Sequence, residues 1–331
     1  MHIPDNYLSP STCAVMFVAM APVWYYSVKK VKEVVSQDKI PLIGVGAAFS
    51  FMLMMFNLPI PDGTTAHAVG GTLIALLLGP YAACIAVSVA LLIQALVFGD
   101  GGILSFGANC FNMAFVLPFT GYYLYRFFKK FLPSNAGDKV AIFLAAHIGI
   151  NLAAFCASVE FGIQPLLFTD SAGQPLYCPY PLWISIPAMI FPHLTIAGIA
   201  EGVFTVALYS FITKVSPGIV TENQKIKLNP IFSLLVCLII LSPLGLLASG
   251  TAWGEWGADE IADDASAGSA LGFVPDKLAN GFNYEALLPD YSLAGLPDIA
   301  GYILSAVVGV ALLVIIFKVI GSLSHGNRKT A

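Results

Sequence analysis

Charge is scarce in this chain: only 10% of its 331 residues are Asp, Glu, Lys or Arg. A soluble domain carries about 25%. With 58% hydrophobic residues and a mean hydropathy of +0.83, too little polar surface remains to face water. Composition therefore excludes a soluble globular protein and predicts an all-α polytopic membrane protein, whose helices satisfy their own backbone hydrogen bonds in lipid. A Gly-x-x-x-x-Gly-Lys-Ser/Thr phosphate loop is also missing, so any ATP energy has to come from a partner. The six cysteines show no zinc-site spacing. Cys13, Cys84, Cys110, Cys156 and Cys237 lie in apolar runs and read as small buried hydrophobes, while Cys178 sits in a loop. No basic residue precedes the first apolar run; Lys29 and Lys30 follow it, which argues against a cleavable signal peptide and leads to the expectation that Met1 is retained.

Apolar runs long enough, or nearly so, to cross about 30 Å of hydrocarbon occur near 11–28, 40–58, 66–79, 81–98, 103–125, 139–160, 190–213, 230–249 and 299–320. They predict about nine transmembrane helices, seven plus two. Gly79-Pro80 turns the third and fourth into a tight hairpin. Pro187 and Pro192 predict that the seventh helix starts near His193 after an irregular lead-in. With the N-terminus outside and the C-terminus inside, the inner segments hold Lys29, Lys30, Lys32, Lys39, Arg126, Lys129, Lys130, Lys139, Lys214, Lys225, Lys227, Lys318, Arg328 and Lys329. That is fourteen of the fifteen Lys and Arg residues, Lys277 being the exception. Asp5, Asp62, Asp100, Asp170 and the Glu255 to Asp264 cluster fall outside, where a negative rim attracts cations. A composition shift near Lys214 to Asn229 separates a domain at 1–215, through a cytoplasmic linker at 216–229, from a module at 230–331. That module has two spans and a polar outer loop at 250–298, rich in Gly and Pro and expected to be compact but irregular.

The histidines number only five. At the opening Met1-His2-Ile3-Pro4-Asp5, a free α-amine, the amide between Met1 and His2, and the His2 imidazole Nδ1 can close a five- and a six-membered chelate ring around one cation. Such a planar nitrogen clamp leaves one in-plane position open and suits Ni(II) or Cu(II), with Co(II) also accommodated. On this feature alone an ordinary terminal histidine is the simpler explanation. A second histidine, His67, lies on the same side in the loop Pro61-Asp62-Gly63-Thr64-Thr65-Ala66-His67-Ala68-Val69-Gly70-Gly71. It can supply the fourth nitrogen, or simply cap or pack a helix start. Gly63 permits a tight backbone approach, and Gly70 and Gly71 close helix packing. Asn109 and Asn112 open the fifth span, where they either tie the N-terminal arm and orient His67 or link helices. His193 and Glu201 in the seventh span either form structural hydrogen bonds, the better-supported reading, or guide an ion inward. His147 and Asn151 share a helix face without an assigned role. Ala14, Ala19, Ala48 and Ala75 offer small surfaces to a partner's helices.

The opening with Leu8-Ser9-Pro10, the Gly63 to Gly71 loop, Phe98-Gly99-Asp100-Gly101-Gly102, Gly107-Ala108-Asn109-Cys110-Phe111-Asn112-Met113 and His193 through Glu201 together resemble the CbiM/NikM family over roughly residues 1–215. The last third, with Pro243-Leu244-Gly245, Ala252-Trp253-Gly254-Glu255-Trp256-Gly257, Val274-Pro275-Asp276 and Leu288-Pro289-Asp290-Tyr291, looks like the CbiN/NikN-type PDGLE component. The resemblance implies a substrate-capture (S) component of an energy-coupling-factor importer for Ni(II) or Co(II), in the cell (cytoplasmic) membrane. It further implies capture outside and delivery inside, with a CbiQ-like transmembrane coupling subunit and two CbiO/NikO-like ATPase subunits as partners. The metal would be transported substrate and not a cofactor, held by the Met1 amine, the His2 amide and imidazole, and His67. Two departures stand out: Asn6-Tyr7 where the family often has Gly before an aromatic, and Pro275-Asp276-Lys277-Leu278 in place of the PDGLE core. Two other readings compete: a haem-binding oxidoreductase subunit with His147 and His193 as axial ligands, and a passive divalent-metal channel. Nitrogen ligands alone do not separate nickel from cobalt.

Overall fold

The computed structural model describes residues 1–36, 39–221, 224–248, 250–265 and 268–326; Arg328 and Lys329, and the Asp62 side chain, lie outside the described set. Each predicted apolar run contains or contributes to a helix. These are α1 Pro10–Val34, α2 Ile40–Met54, α3 Gly71–Leu78, α4 Pro80–Phe98, α5 (Phe106–Asn109, Cys110–Val116 and Leu117–Phe131), α6 Asn135–Leu167, α7 Leu182–Val215, α8 Asn229–Leu247 and α9 Asp298–Gly326. Among the described residues six of them, α1, α4, α6, α7, α8 and α9, are long and apolar enough to cross a membrane. The starts are set by local chemistry. Ser9 Oγ accepts from Thr12 N at 3.1 Å ahead of Pro10, and Ser134 Oγ accepts from Gly137 N at 3.0 Å.

Three expectations are corrected. The 66–79 run yields only the eight-residue α3, about 12 Å long. Residues before it form an antiparallel ladder of β1 (Leu58–Pro59) with β2 (Thr65–Ala66), and then a left-handed turn at Gly70. The run is spent on presenting His67 rather than on crossing lipid. Pro187 and Pro192 lie inside α7, which is helical from Leu182. A widened π-turn at His193–Ala197 follows Pro192 at once and restores the ladder with Gly198 N donating to His193 O. Ala48 and Ala75 are fully buried and Cys237 is exposed, so those two alanines offer no surface to a partner and Cys237 is not a core residue.

The C-terminal pair of helices is not a loose appendage. α9 lies along α2, and a Cβ on Gly309 would fall 2.2 Å from the Phe51 ring, so only glycine permits that approach. Tyr302 donates its hydroxyl to Met55 O at 2.6 Å. The 250–298 loop is irregular among its described residues, with a short α-helix at Asp276–Asn280 and a 3-10 turn at Pro289–Tyr291. It is nonetheless pinned to the helix ends that carry Met1. Lys277 N donates to Leu176 O at 3.0 Å and Leu288 N to Val97 O at 2.8 Å. Trp253 and Trp256 pack with Tyr180 in an aromatic cluster whose ring centroids are 5.5 to 5.9 Å apart, and Phe161 joins it through Trp253 at 5.7 Å. Asn6 takes φ +69°, a region that Gly and Asn tolerate best, and pairs twice with the loop: Nδ2 to Phe282 O at 2.8 Å and Phe282 N to Oδ1 at 2.9 Å. The Asn at a frequent Gly position thus keeps the turn and adds an anchor.

Candidate metal centre

The first nine residues form an arm laid over the helix ends and sealed against the 100–105 turn. Asp5 accepts from Ile103 N at 3.0 Å and Leu104 N at 2.7 Å, while burial pushes its carboxyl above the usual aspartate value. Gly102 N donates to Ile3 O at 2.8 Å, and a Cβ on Gly102 would sit 2.5 Å from Asp5 N, so no other residue fits there. Asn109 clamps the peptide beyond His2 from both sides, accepting from Ile3 N at 2.8 Å and donating to Ile3 O at 3.0 Å. Further along, Tyr7 donates its hydroxyl to Trp256 O at 2.8 Å, and Ser9 N donates to Gln164 Oε1 at 3.0 Å. The arm therefore has no slack, and its first two residues are buried.

His67 arrives from the other direction on the β1–β2 hairpin. Gly63 serves the turn through its positive φ of +82°, and no close neighbour requires it to be small. Ser50 Oγ donates to Val69 O at 2.8 Å. The buried Glu201 carboxylate of α7 accepts from Val69 N at 2.7 Å and from Gly70 N at 2.9 and 3.1 Å. This holds the turn after His67 at the start of α3. His67 Nδ1 donates to Ala68 O at 3.2 Å, which leaves the lone pair on Nε2. That Nε2 lies 3.2 Å from His2 Nδ1. Burial first, then the nearby N-terminal charge and His2, hold the His67 imidazole well below its ordinary value, so it is neutral at pH 7.

Two carboxylates touch the same group. Asp100 Oδ1 is 3.2 Å from His2 Nδ1, and Glu255 Oε1 of the C-terminal loop is 3.2 Å from the Met1 amine. Among the described residues no group of three His, Cys, Asp or Glu side chains is arranged to hold a metal ion.

The other candidates fall around this point in distinct ways. Asn109 ties the arm and does not touch His67. Asn112 donates to Glu160 Oε2 at 2.8 Å and joins α5 to α6, away from the arm. His193 donates Nδ1 to Met189 O at 2.7 Å and lines, with Met1, Thr64 and Trp253, a cavity of about 10 Å³. His147 stacks on Phe143, and Asn151 bridges His147 O and His193 O at 2.8 and 3.2 Å. Sequence reasoning missed Glu255 and Asp100 as neighbours of the clamp and Glu201 as the support of His67. The only available signal was a carboxylate in an apolar helix or at an outer rim.

Residues 2–219 match the family described as the cobalt uptake substrate-specific transmembrane region, CbiM, and residues 229–326 match the PDGLE domain. The chain is 48% identical over 321 residues to a probable fused nickel transport protein, LarMN, of Lactiplantibacillus plantarum, covering 96% of this chain and 97% of that one. It is 47% identical over 330 residues to the fused nickel transport protein NikMN of Rhodobacter capsulatus, covering 95% of each. A crystal structure of a truncated transition metal transporter superposes with a TM-score of 0.62 at 51% identity, covering 65% of this chain and 99% of that one.

Proposed function

The chain belongs to the cobalt-uptake substrate-specific transmembrane family, with a PDGLE domain joined behind it, and from that premise we propose that it captures Ni(II) or Co(II) at the outer face of the cell membrane for ATP-driven import. The observation that carries this reading is the 3.2 Å approach of His67 Nε2 to His2 Nδ1, both rings buried, beside the Met1 amine. Metal–nitrogen bonds of about 2.0–2.1 Å place neighbouring donors at right angles about 2.8 Å apart, so a small contraction brings both imidazoles onto one ion. The amine and the deprotonated first amide complete a planar set of four nitrogens, the geometry that suits Ni(II).

The tight arm makes the clamp selective for shape, since Asn109 and Asp5 hold the peptide in place before any ion arrives. Binding displaces protons from the amine and the amide, so affinity falls as pH falls. Release inward requires the arm or the His67 hairpin to move. The resemblance to the CbiM/NikM family implies that a transmembrane coupling subunit and two ATPase subunits supply that work, consistent with the lack of a phosphate loop in this sequence. The basic residues set the orientation, with Met1 and the 250–298 loop outside and the 29–39 and 126–139 segments inside.

Reconstitution in liposomes tests the whole proposal. Accumulation of nickel or cobalt against a gradient, only with ATP and all partner subunits, is the expected result. ATP-independent flux through this chain alone would replace it with a passive channel. A Val35→Cys variant that reacts with an impermeant reagent on intact cells would overturn the orientation.

A further inference from the structure

The clamp is buried, yet a hydrated cation has to reach it. The side chains of Met1 and His2 are 1% and 2% exposed, while the two carboxylates touching them, Glu255 and Asp100, are each 20% exposed. Each carboxylate therefore spans the step from solvent to one buried nitrogen. Asp100 is fixed for this: its Oδ2 accepts from Gln94 Nε2 at 3.0 Å and from the Tyr291 hydroxyl, and Oδ1 is left facing His2 Nδ1. Glu255 is carried by a turn whose Glu255 N donates to Ala252 O at 3.0 Å, between Trp253 and Trp256 of the aromatic cluster. One carboxylate comes from the metal-binding domain and the other from the fused loop.

We propose that Asp100 and Glu255 form a two-carboxylate antechamber that first holds the incoming divalent cation through oxygen and then passes it to the nitrogens of Met1, His2 and His67. The inference rests on the clamp reading given above. Oxygen ligands exchange with the ion's water readily but do not select the planar end state, which nitrogen does. Negative charge at the mouth raises the local cation concentration and the association rate, and this effect weakens with salt. Once the ion is in the nitrogen plane, the carboxylates are no longer its ligands. They act on the rate of capture and leave the dissociation rate and the final spectrum alone.

Stopped-flow binding of Ni(II) to the full chain with its native terminus tests this, comparing the unmodified protein with Glu255→Gln, Asp100→Asn and Asp259→Asn. Asp259 is an exposed carboxylate of the same loop. Association should slow by about threefold to tenfold in Glu255→Gln and Asp100→Asn, with a shallower salt dependence, an unchanged dissociation rate and an unchanged ligand-field band. Asp259→Asn should match the unmodified protein. An unchanged association rate in Glu255→Gln overturns the antechamber, as does a faster dissociation with an altered band, which makes Glu255 a ligand of the final site. Equal slowing by Asp259→Asn overturns it too, because general loop charge then suffices. Failure of the unmodified protein to bind Ni(II) removes the clamp itself and the antechamber with it.

Discussion

The two regions of the chain meet at the same few atoms but bring different chemistry to them. The domain before the linker holds four of the five histidines, including both that converge, and it fixes them through main-chain hydrogen bonds to Asn109 and Glu201. The module after the linker brings one carboxylate, Glu255, and the Trp253–Trp256 pair; its own His325 lies at the far end of α9. The two converging rings thus come from the first region, and the carboxylate on the Met1 amine from the second.

The comparison breaks most sharply at His2. His2→Ala removes the imidazole that closes the six-membered ring, and calorimetry with Ni(II) should show affinity lost by about a hundredfold or more, ~2.7 kcal/mol. His67→Ala empties only the fourth in-plane position, which water can take, and should cost about tenfold, ~1.4 kcal/mol, in the same titration. Glu201→Gln turns an amide NH₂ toward two backbone donors at Val69 and Gly70. It should destabilise the protein by about 1–3 kcal/mol, read as a lowered Tm, with a smaller loss of nickel affinity. Smallest of all, a chain ending after Ser216 that still unfolds cooperatively should bind within about tenfold of the full chain. Complete loss of binding by that folded truncation would move part of the binding chemistry into the C-terminal module.

Much of the fold is legible in the order of residues alone. The helical membrane fold follows from composition, and the positions of the spans follow from the apolar runs. The chelating potential of Met1-His2 is a property of the terminus itself, so it needs no tertiary knowledge. The rest is hidden wherever long-range contacts decide. His67 meets His2 across 65 positions, and Glu201 meets Gly70 across 131; no local pattern encodes either distance. Hydropathy makes α3 too long because it does not register the left-handed turn at Gly70. Pro187 and Pro192 mislead because the helix that starts at Leu182 runs through both, with a π-turn directly after Pro192. Glu255 reads as one more outer acid because nothing in its own neighbourhood of sequence records the arm lying beneath it.

The central claim is that main-chain nitrogen at the terminus binds the ion, and acetylation of the Met1 amine tests it most directly. The acetyl group leaves every side chain intact but takes the amine lone pair away as a metal donor. Isothermal titration of the native and acetylated chains with Ni(II) and Co(II), both verified as folded, should show the acetylated form weakened as severely as His2→Ala. Equal affinity for the two forms would contradict the claim and direct the search for ligands to His67, His193 and the neighbouring carboxylates.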